Sequence, residues 1–455
     1  MNETVSTQFE VHDAQVLANA RALMRLTESP RMWAQAVVDA VQRNEEWRGK
    51  RCINLLAPEA PTSPMVRALL SSEIGTRAAE GHIGRVNRWF AGTQYIDEVE
   101  SLCVELLKLA FRSNYADHRL MGSMLGNLTV YHALAQPGDT IMSAPQPVGG
   151  HSSNRVDGPA GTRGFKIFDV PFDAQELEVD LDGFAKAARL HKPKLVVLGM
   201  SMTLFPLPVR EMSQIIAEWG GKLIFDGAHQ AGLIAGGQFQ DPLQEGAVVL
   251  TGSAGKTFSG PQSGMILWND PELTKRLTDA IFPTLAATHQ VNRVAALAVA
   301  AAEMIEYGKF YMAQIVKNSK ALGKALDERG VPVLGAHKGY SQTHQVILRV
   351  ASYGGGLAVA HRLAAANIIT NKNLLPEDKP EDWDRPSGLR LGTIEVTRLG
   401  MNEKDMEAIA DFIARVLVQN QEVESVGREV VDFRLPYQTL YYNFDHAYPA
   451  WANVP

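Results

Sequence analysis

Thr251-Gly-Ser-Ala-Gly-Lys256-Thr-Phe-Ser-Gly-Pro261 is a run of small and hydroxylated residues that follows the apolar segment Ala247-Val-Val-Leu250 and delivers one amine. Upstream, a second apolar segment, Lys222-Leu-Ile-Phe225, ends in Asp226-Gly-Ala-His229. Short apolar runs bounded by glycine and small polar residues read as strands buried on both faces, with their carboxyl ends opening into loops.

Outward from these two segments, the stretch from Gly122 to Leu285 alternates strand and helix. Strands are predicted at Thr140 to Ser143, Phe165 to Phe168, Leu195 to Gly199 and Gly264 to Trp268, and helices at Leu181 to Leu190 and Arg210 to Trp219. Repeated crossover units of this kind build an α/β fold with a mainly parallel sheet covered by helices, and ligands gather at its strand carboxyl ends. The expected organisation is an N-terminal helical arm (1–60), a large domain (61–288), a connecting long helical region (289–330) broken near Gly308, and a smaller C-terminal α/β domain (331–455). Within the arm, Ser29-Pro30 separates helices at Asp13 to Thr27 and Arg31 to Trp47. A helix is also expected at Ile96 to Phe111. In the last domain the elements expected are Val331 to Leu334, His344 to Val350, a helix at Gly355 to Ala366, Gly388 to Leu391 and a helix at Glu403 to Val418. The aromatic tail, Tyr437 to Trp451, is expected to dock on the body, since so many exposed aromatics would form an adhesive patch.

A chain of 455 residues with 45% hydrophobic and 21% charged residues has enough apolar surface for two or three packed cores. A net charge of -6 without a dense Lys/Arg cluster argues against nucleic acid or an anionic membrane as partner. Cys52 and Cys103 lie in apolar surroundings without the spacing of a disulfide framework or a zinc site, so no metal is read from the sequence. The polar N-terminus lacks the pattern of a signal peptide, and the apolar run from Val294 to Ala302 is too short to span a bilayer. A reducing, cytoplasmic setting is expected.

A loop lysine is commonly solvated, and an aspartate after a strand commonly caps a helix. Paired at the ends of two buried strands, however, Lys256 and Asp226 are what pyridoxal phosphate requires: an amine to hold the aldehyde and an anion to keep the ring nitrogen protonated. Gly122-Ser123-Met-Leu-Gly126-Asn127 opens an apolar helix whose positive end, with the hydroxyl of Ser123, suits a phosphate. Ser253 and Thr257 flank Lys256 and add hydroxyls. Arg390, between Gly388 and Gly392, has the planar fork that suits an amino acid carboxylate, and Arg398 has the same chemistry with a weaker case.

These motifs, with Ala79-Glu80-Gly81, Tyr95-Ile-Asp97-Glu-Val-Glu100, Asp226-Gly-Ala-His229-Gln-Ala-Gly-Leu233 and Thr370-Asn-Lys-Asn373, resemble serine hydroxymethyltransferases, fold type I pyridoxal phosphate enzymes, from about Ile53 to Val418. The resemblance implies Lys256 as the lysine that carries the cofactor and Asp226 as the pyridinium partner. Ser201 and His229 would neighbour the ring oxygen, and Arg390 would anchor the carboxylate. Glu80 would handle the proton of the substrate hydroxyl, from or near a partner subunit. Asn373 corresponds to the region that contacts folate, so tetrahydrofolate enters as a possible co-substrate. His151, in Gly149-Gly150-His151, also matches. A homodimer or tetramer is implied.

The chain departs from the family pattern at Val148, where a histidine stacks on the cofactor ring, at Gly255 in place of the histidine before the lysine, and at Gln262 in place of the arginine of Gly-Pro-Arg. Ala78 and Trp89-Phe90 stand where tyrosines are expected. Losing a ring stack costs about 0.5–1.5 kcal/mol, small beside a covalently held cofactor. Substrate preference is therefore expected to change more than cofactor binding, with room for an α substituent as in α-methylserine hydroxymethyltransferases. Tyr340-Ser-Gln-Thr-His344-Gln-Val346 and Leu440-Tyr-Tyr-Asn-Phe444-Asp445 look like threonine transaldolases. The expected reaction is retro-aldol cleavage and one-carbon transfer on a β-hydroxy amino acid of the serine or α-methylserine type. The alternatives are a folate-independent threonine transaldolase or aldolase using a larger aldehyde, and a cofactor-binding scaffold without catalysis.

Overall fold

The computed structural model describes residues 13–26 and 29–445. Seven strands form the main sheet: β1 (Tyr115–Leu120), β2 (Thr140–Ser143), β3 (Lys166–Asp169), β4 (Leu195–Leu198), β5 (Lys222–Asp226), β6 (Val249–Ser253) and β7 (Gly264–Trp268). Their spatial order is β1-β7-β6-β5-β4-β2-β3. β7 runs antiparallel to both β1 and β6, and the remaining pairs are parallel.

Burial on both faces explains why these strands are continuous apolar runs. Along β4, Val196 and Leu198 enter the core on one face, while Leu195 and Val197 enter the core on the other. Each side chain so buried contributes about 1.5–3 kcal/mol. Helices α1 (Ala14–Leu26) and α2 (Pro30–Asn44) form the arm, and α3 (Gln94–Phe111), α4 (Ser123–Leu134), α5 (Leu181–His191) and α6 (Val209–Ala217) belong to the sheet region. The α5 start is set by Asp180, whose carboxylate accepts from the Gly183 amide at 2.9 Å.

α7 (Val291–Glu328) links the sheet region to a second core. The sequence predicts a break near Gly308, but α7 runs through it as a 38-residue helix. Gly308 serves as a notch: a side chain on the facing Gly236 would stand 2.6 Å from the Gly308 carbonyl oxygen, so the two backbones meet where neither residue has a Cβ. Around the second core lie β8 (Gln345–Arg349), α8 (Gly355–Ala365), β9 (Asn371–Asn373), β10 (Gly388–Gly392), α9 (Glu403–Leu417) and α10 (Val423–Arg434), with β10 central and antiparallel to both neighbours. A capping box of Asn402 and Asp405 fixes the α9 start. The strand expected at Val331 to Leu334 is reduced to one bridge, Val333 to Leu348. In the tail, Tyr442 stacks on Tyr311 at 4.7 Å and Phe444 packs on Tyr307 at 5.7 Å. Residues 446–451 of the expected tail lie outside the described residues. Among the described residues no helix is long and apolar enough to cross a membrane.

Candidate active site

Adjacent parallel strands β4, β5 and β6 end on the same side of the sheet and carry Ser201, Asp226 and Lys256 into one region. There a cavity of about 600 Å³ is bounded by Lys256, His229, Ser201 and His151 from the sheet region, and by Arg390 and Asn373 from the second domain. Six of the residues singled out in the sequence thus meet on one wall. Asn371, inside the Thr370-Asn-Lys-Asn373 motif, also lines it, and Asp157 and Trp383 line it without any sequence signal of a site.

Asp226 is buried beneath this wall. Asn127 Nδ2 donates to its Oδ2 at 2.7 Å and Asn154 Nδ2 approaches the same atom at 3.4 Å, while the Ala228 amide donates to Oδ1 at 3.2 Å. Asn127 is itself oriented by Thr251, whose hydroxyl donates to its Oδ1 at 2.7 Å, and Tyr131 holds Asn154 at 2.7 Å. This clamp fixes the carboxylate by hydrogen bonds in a low-dielectric interior. Sequence reasoning reached Asn127 only as part of a helix start and missed Asn154 altogether.

Burial lowers the Lys256 ammonium to about 8, with Asp226 opposing the shift and Arg390 adding to it. A buried lysine near 8 has a useful fraction of free amine at neutral pH, which a nucleophile toward an aldehyde needs. His229 is held well below the usual imidazole range by burial and then by Lys256 and Arg390. It stacks on His344 at 5.6 Å, with Nδ1 3.4 Å from His344 Nε2 and 3.3 Å from Gln345 Nε2. Burial and Arg390 push His344 down to about 3. Both rings are therefore neutral at physiological pH, with His229 on the cavity wall and the buried His344 stacked behind it. Burial also lowers His151, with Asp226 opposing and Lys256 and Arg390 reinforcing it.

Arg390 is 8% exposed; it donates to the Ser201 carbonyl at 2.6 Å and approaches Asn371 Oδ1 at 3.4 Å. Among the described residues no carboxylate pairs with it, and burial lowers it to about 10. Arg398, with the same chemistry in sequence, is instead neutralised by Glu303 at 3.0 Å. The geometry therefore selects Arg390 as the one of the two able to take an anion from outside.

The remaining predicted residues stand behind or beside the cavity. Ser123 opens α4, and Ser253 is the buried last residue of β6. Val148 does not line the cavity; it is buried beside Met200 and Met202 in a neighbouring apolar crevice. Glu80 is not on this wall either, and its Oε1 accepts from the Thr288 hydroxyl at 2.6 Å. The departures at Gly255 and Gln262 are coupled. A Cβ on Gly255 would lie 2.6 Å from the Gln262 amide carbon, so the glutamine packs where a side chain at 255 would stand.

The residues fit pyridoxal phosphate: an amine of lowered basicity on the cavity wall, a clamped carboxylate under it, neutral rings beside it, and the positive end of α4 nearby. The family model of serine hydroxymethyltransferase matches residues 31–413. The chain belongs to the serine hydroxymethyltransferase family. It is 44% identical over 411 residues to the serine hydroxymethyltransferase of Methanocella arvoryzae, covering 90% of this chain and 96% of that one. It is 43% identical over 425 residues to that of Pyrococcus horikoshii, covering 92% and 99%. Among solved structures, L-threonine transaldolase from Pseudomonas fluorescens superposes with a TM-score of 0.83 at 26% identity, covering 92% of this chain and 96% of that one. The fold is thus that of the fold type I pyridoxal phosphate enzymes, and the chain is an enzyme of this hydroxymethyltransferase-like class.

Proposed function

We propose that this enzyme cleaves and forms the bond between the α and β carbons of a β-hydroxy amino acid of the serine or α-methylserine type, with transfer of a one-carbon unit. The observation that carries the reading is the buried Arg390, without a protein anion, facing the same cavity as Lys256. A guanidinium so placed is stabilised when a ligand carboxylate arrives, which orients an amino acid with its α carbon toward Lys256. Lys256 would hold pyridoxal phosphate between turnovers, and the cofactor, once given up to the substrate amine, would supply the electron sink for the pair released when the α–β bond breaks.

The chain's own residues do the rest. Asp226, fixed by Asn127, would hold the proton of a pyridinium nitrogen, and His229, backed by His344, would keep water and charge away from the cavity wall beside it. Ser123, Ser253 and the first turn of α4 receive the phosphate. Glu80 accepts the proton of the substrate hydroxyl. Because it lies off the cavity wall of its own chain, we assign it to the cavity of a second copy in a homodimer or tetramer. Ala78, in place of a tyrosine, favours an α-substituted substrate. Asn373, on the wall beside Arg390, would face a tetrahydrofolate co-substrate. A soluble, cytoplasmic enzyme of amino acid and one-carbon metabolism is the setting this implies.

A second reading is a folate-independent threonine transaldolase, favoured by the structural likeness to such an enzyme and by the placement of His344 and Gln345 against His229. Incubating the holoenzyme with L-serine, α-methyl-L-serine and L-threonine, with and without tetrahydrofolate, and measuring formaldehyde or acetaldehyde, separates the two. Tetrahydrofolate-stimulated cleavage of serine or α-methylserine, with the one-carbon unit recovered as methylenetetrahydrofolate, supports the main reading. Acetaldehyde from threonine, increased by an added aromatic aldehyde and indifferent to folate, supports the second. No cleavage of any of the three would return the cofactor-binding scaffold.

A further inference from the structure

Away from the cavity, Glu100 of α3, His118 of β1 and His289, two residues before α7, converge in the interior. One donor atom from each lies within 4.8 Å of the others. All three are buried, and the mechanism above uses none of them. His118 is 4% exposed, and neither ring nitrogen has a hydrogen-bond partner among the described residues. Its Nε2 approaches Glu100 Oε1 at 3.5 Å without the geometry of a hydrogen bond. His289 Nε2 meets the same oxygen, and the two imidazoles stand edge to face at 6.0 Å. Glu100 divides its oxygens: Oε2 takes the Arg88 guanidinium, and Oε1 is left to the two imidazoles.

An imidazole buried with both nitrogens unpaired is unfavourable, and it becomes favourable if one nitrogen binds a cation. The surrounding charges leave room for one. Three carboxylates, Asp97, Glu100 and Asp117, meet two guanidiniums, Arg88 and Arg119. Two imidazole nitrogens and one carboxylate oxygen, closed to solvent, form the donor set of zinc or a similar first-row divalent ion. A hard ion such as calcium or magnesium would ask for more oxygen ligands.

We infer that Glu100, His118 and His289 form a structural binding site for a divalent transition metal, zinc being the ion the donor set fits best. This goes beyond the proposed reaction and does not rest on it. The site has a clear structural use. His289 follows Thr288, whose hydroxyl holds Glu80, and Arg88 donates to the Ala79 carbonyl while Arg119 approaches the Gly81 carbonyl at 3.4 Å. An ion here would tie α3, β1 and the start of α7 together behind the segment that presents Glu80.

The test uses untagged holoenzyme, stripped with a chelator and titrated with Zn²⁺ or Co²⁺. The expected result is about one metal ion per chain, with a raised Tm and, for Co²⁺, the intense visible absorption of a low-coordinate nitrogen and oxygen site. His118→Val is expected to keep its pyridoxal phosphate while weakening Zn²⁺ at least about a hundredfold. If that variant does not fold, the wild-type cobalt spectrum and thermal shift decide the question. Absence of both in the wild type, or undiminished zinc in a folded His118→Val or Glu100→Gln variant, would overturn the site and leave a hydrogen-bonded imidazole cluster only. Neither result bears on Lys256 or Arg390, so failure here is distinct from failure of the proposed reaction.

Discussion

Arg390 and Arg398 lie eight positions apart in the same domain, and both are buried, yet the fold treats them oppositely. Around Arg398 the chain brings its own anion, Glu303, and adds the Ser259 carbonyl at 3.1 Å and the Tyr311 ring at 5.9 Å. Around Arg390 it supplies a carbonyl and an amide oxygen, and then a cavity with Lys256 across it. The first arrangement is complete without a ligand and holds α7 to the second domain. The second has no counter-ion among the described residues, and the proposed substrate carboxylate would supply it.

Lys256→Ala is expected to lose covalent cofactor and at least about a thousandfold of the turnover, read by cofactor absorbance and aldehyde release, while Tm stays near that of the apo protein.

Next come the two arginines. Arg398→Leu strands Glu303 in the interior and is expected to lower folding stability by about 3–5 kcal/mol with little change of KM in the folded fraction. Arg390→Leu should do the reverse, raising KM for the amino acid about a hundredfold, the worth of a charge-assisted pair of hydrogen bonds, with Tm unchanged or slightly raised. Equal effects of the two substitutions on KM would erase the distinction. Chemical denaturation and steady-state kinetics on both variants decide it.

Asn127→Ala removes the shortest donor to Asp226 and is expected to weaken pyridoxal phosphate by about 1–3 kcal/mol, measured by cofactor titration of the apo protein. An affinity equal to that of the wild type would mean that Asn154 and the Ala228 amide suffice.

The smallest effect concerns acid. His344 is lowered to about 3 in the folded chain, so between the ordinary imidazole value of 6.5 and 3 the unfolded chain binds the extra proton. Stability contributed by keeping this ring neutral is present above pH 6.5 and is lost as pH falls through that window, by about 2 kcal/mol at pH 5. Denaturant midpoints of the apo protein at several pH values should show this slope, and His344→Gln should flatten it. An identical slope in the variant would contradict the assignment.

Strands β4 to β7 were legible because burial on both faces writes an unbroken apolar run. β1 was not, since its Asp117, His118 and Arg119 are buried through ion pairs and packing that no periodicity reveals. The break expected at Gly308 failed because the glycine answers a neighbour distant in sequence, Gly236. At the site, Lys256, Asp226, His229 and Arg390 stood out because each sits at a strand end or between small residues. The difference between Arg390 and Arg398 could not be read there. It depends on Glu303, which is 95 positions from Arg398, and on the position of a cavity formed by two domains. Asn154, a polar residue in a short helical turn 72 positions from Asp226, carries no local mark of its role.

The proposed chemistry depends most directly on which side chain carries the cofactor. Borohydride reduction of the holoenzyme, followed by proteolysis and mass spectrometry, is expected to place a stable pyridoxyl group on Lys256 and on no other lysine. A label on another residue, or no label on a protein that binds pyridoxal phosphate, would contradict it.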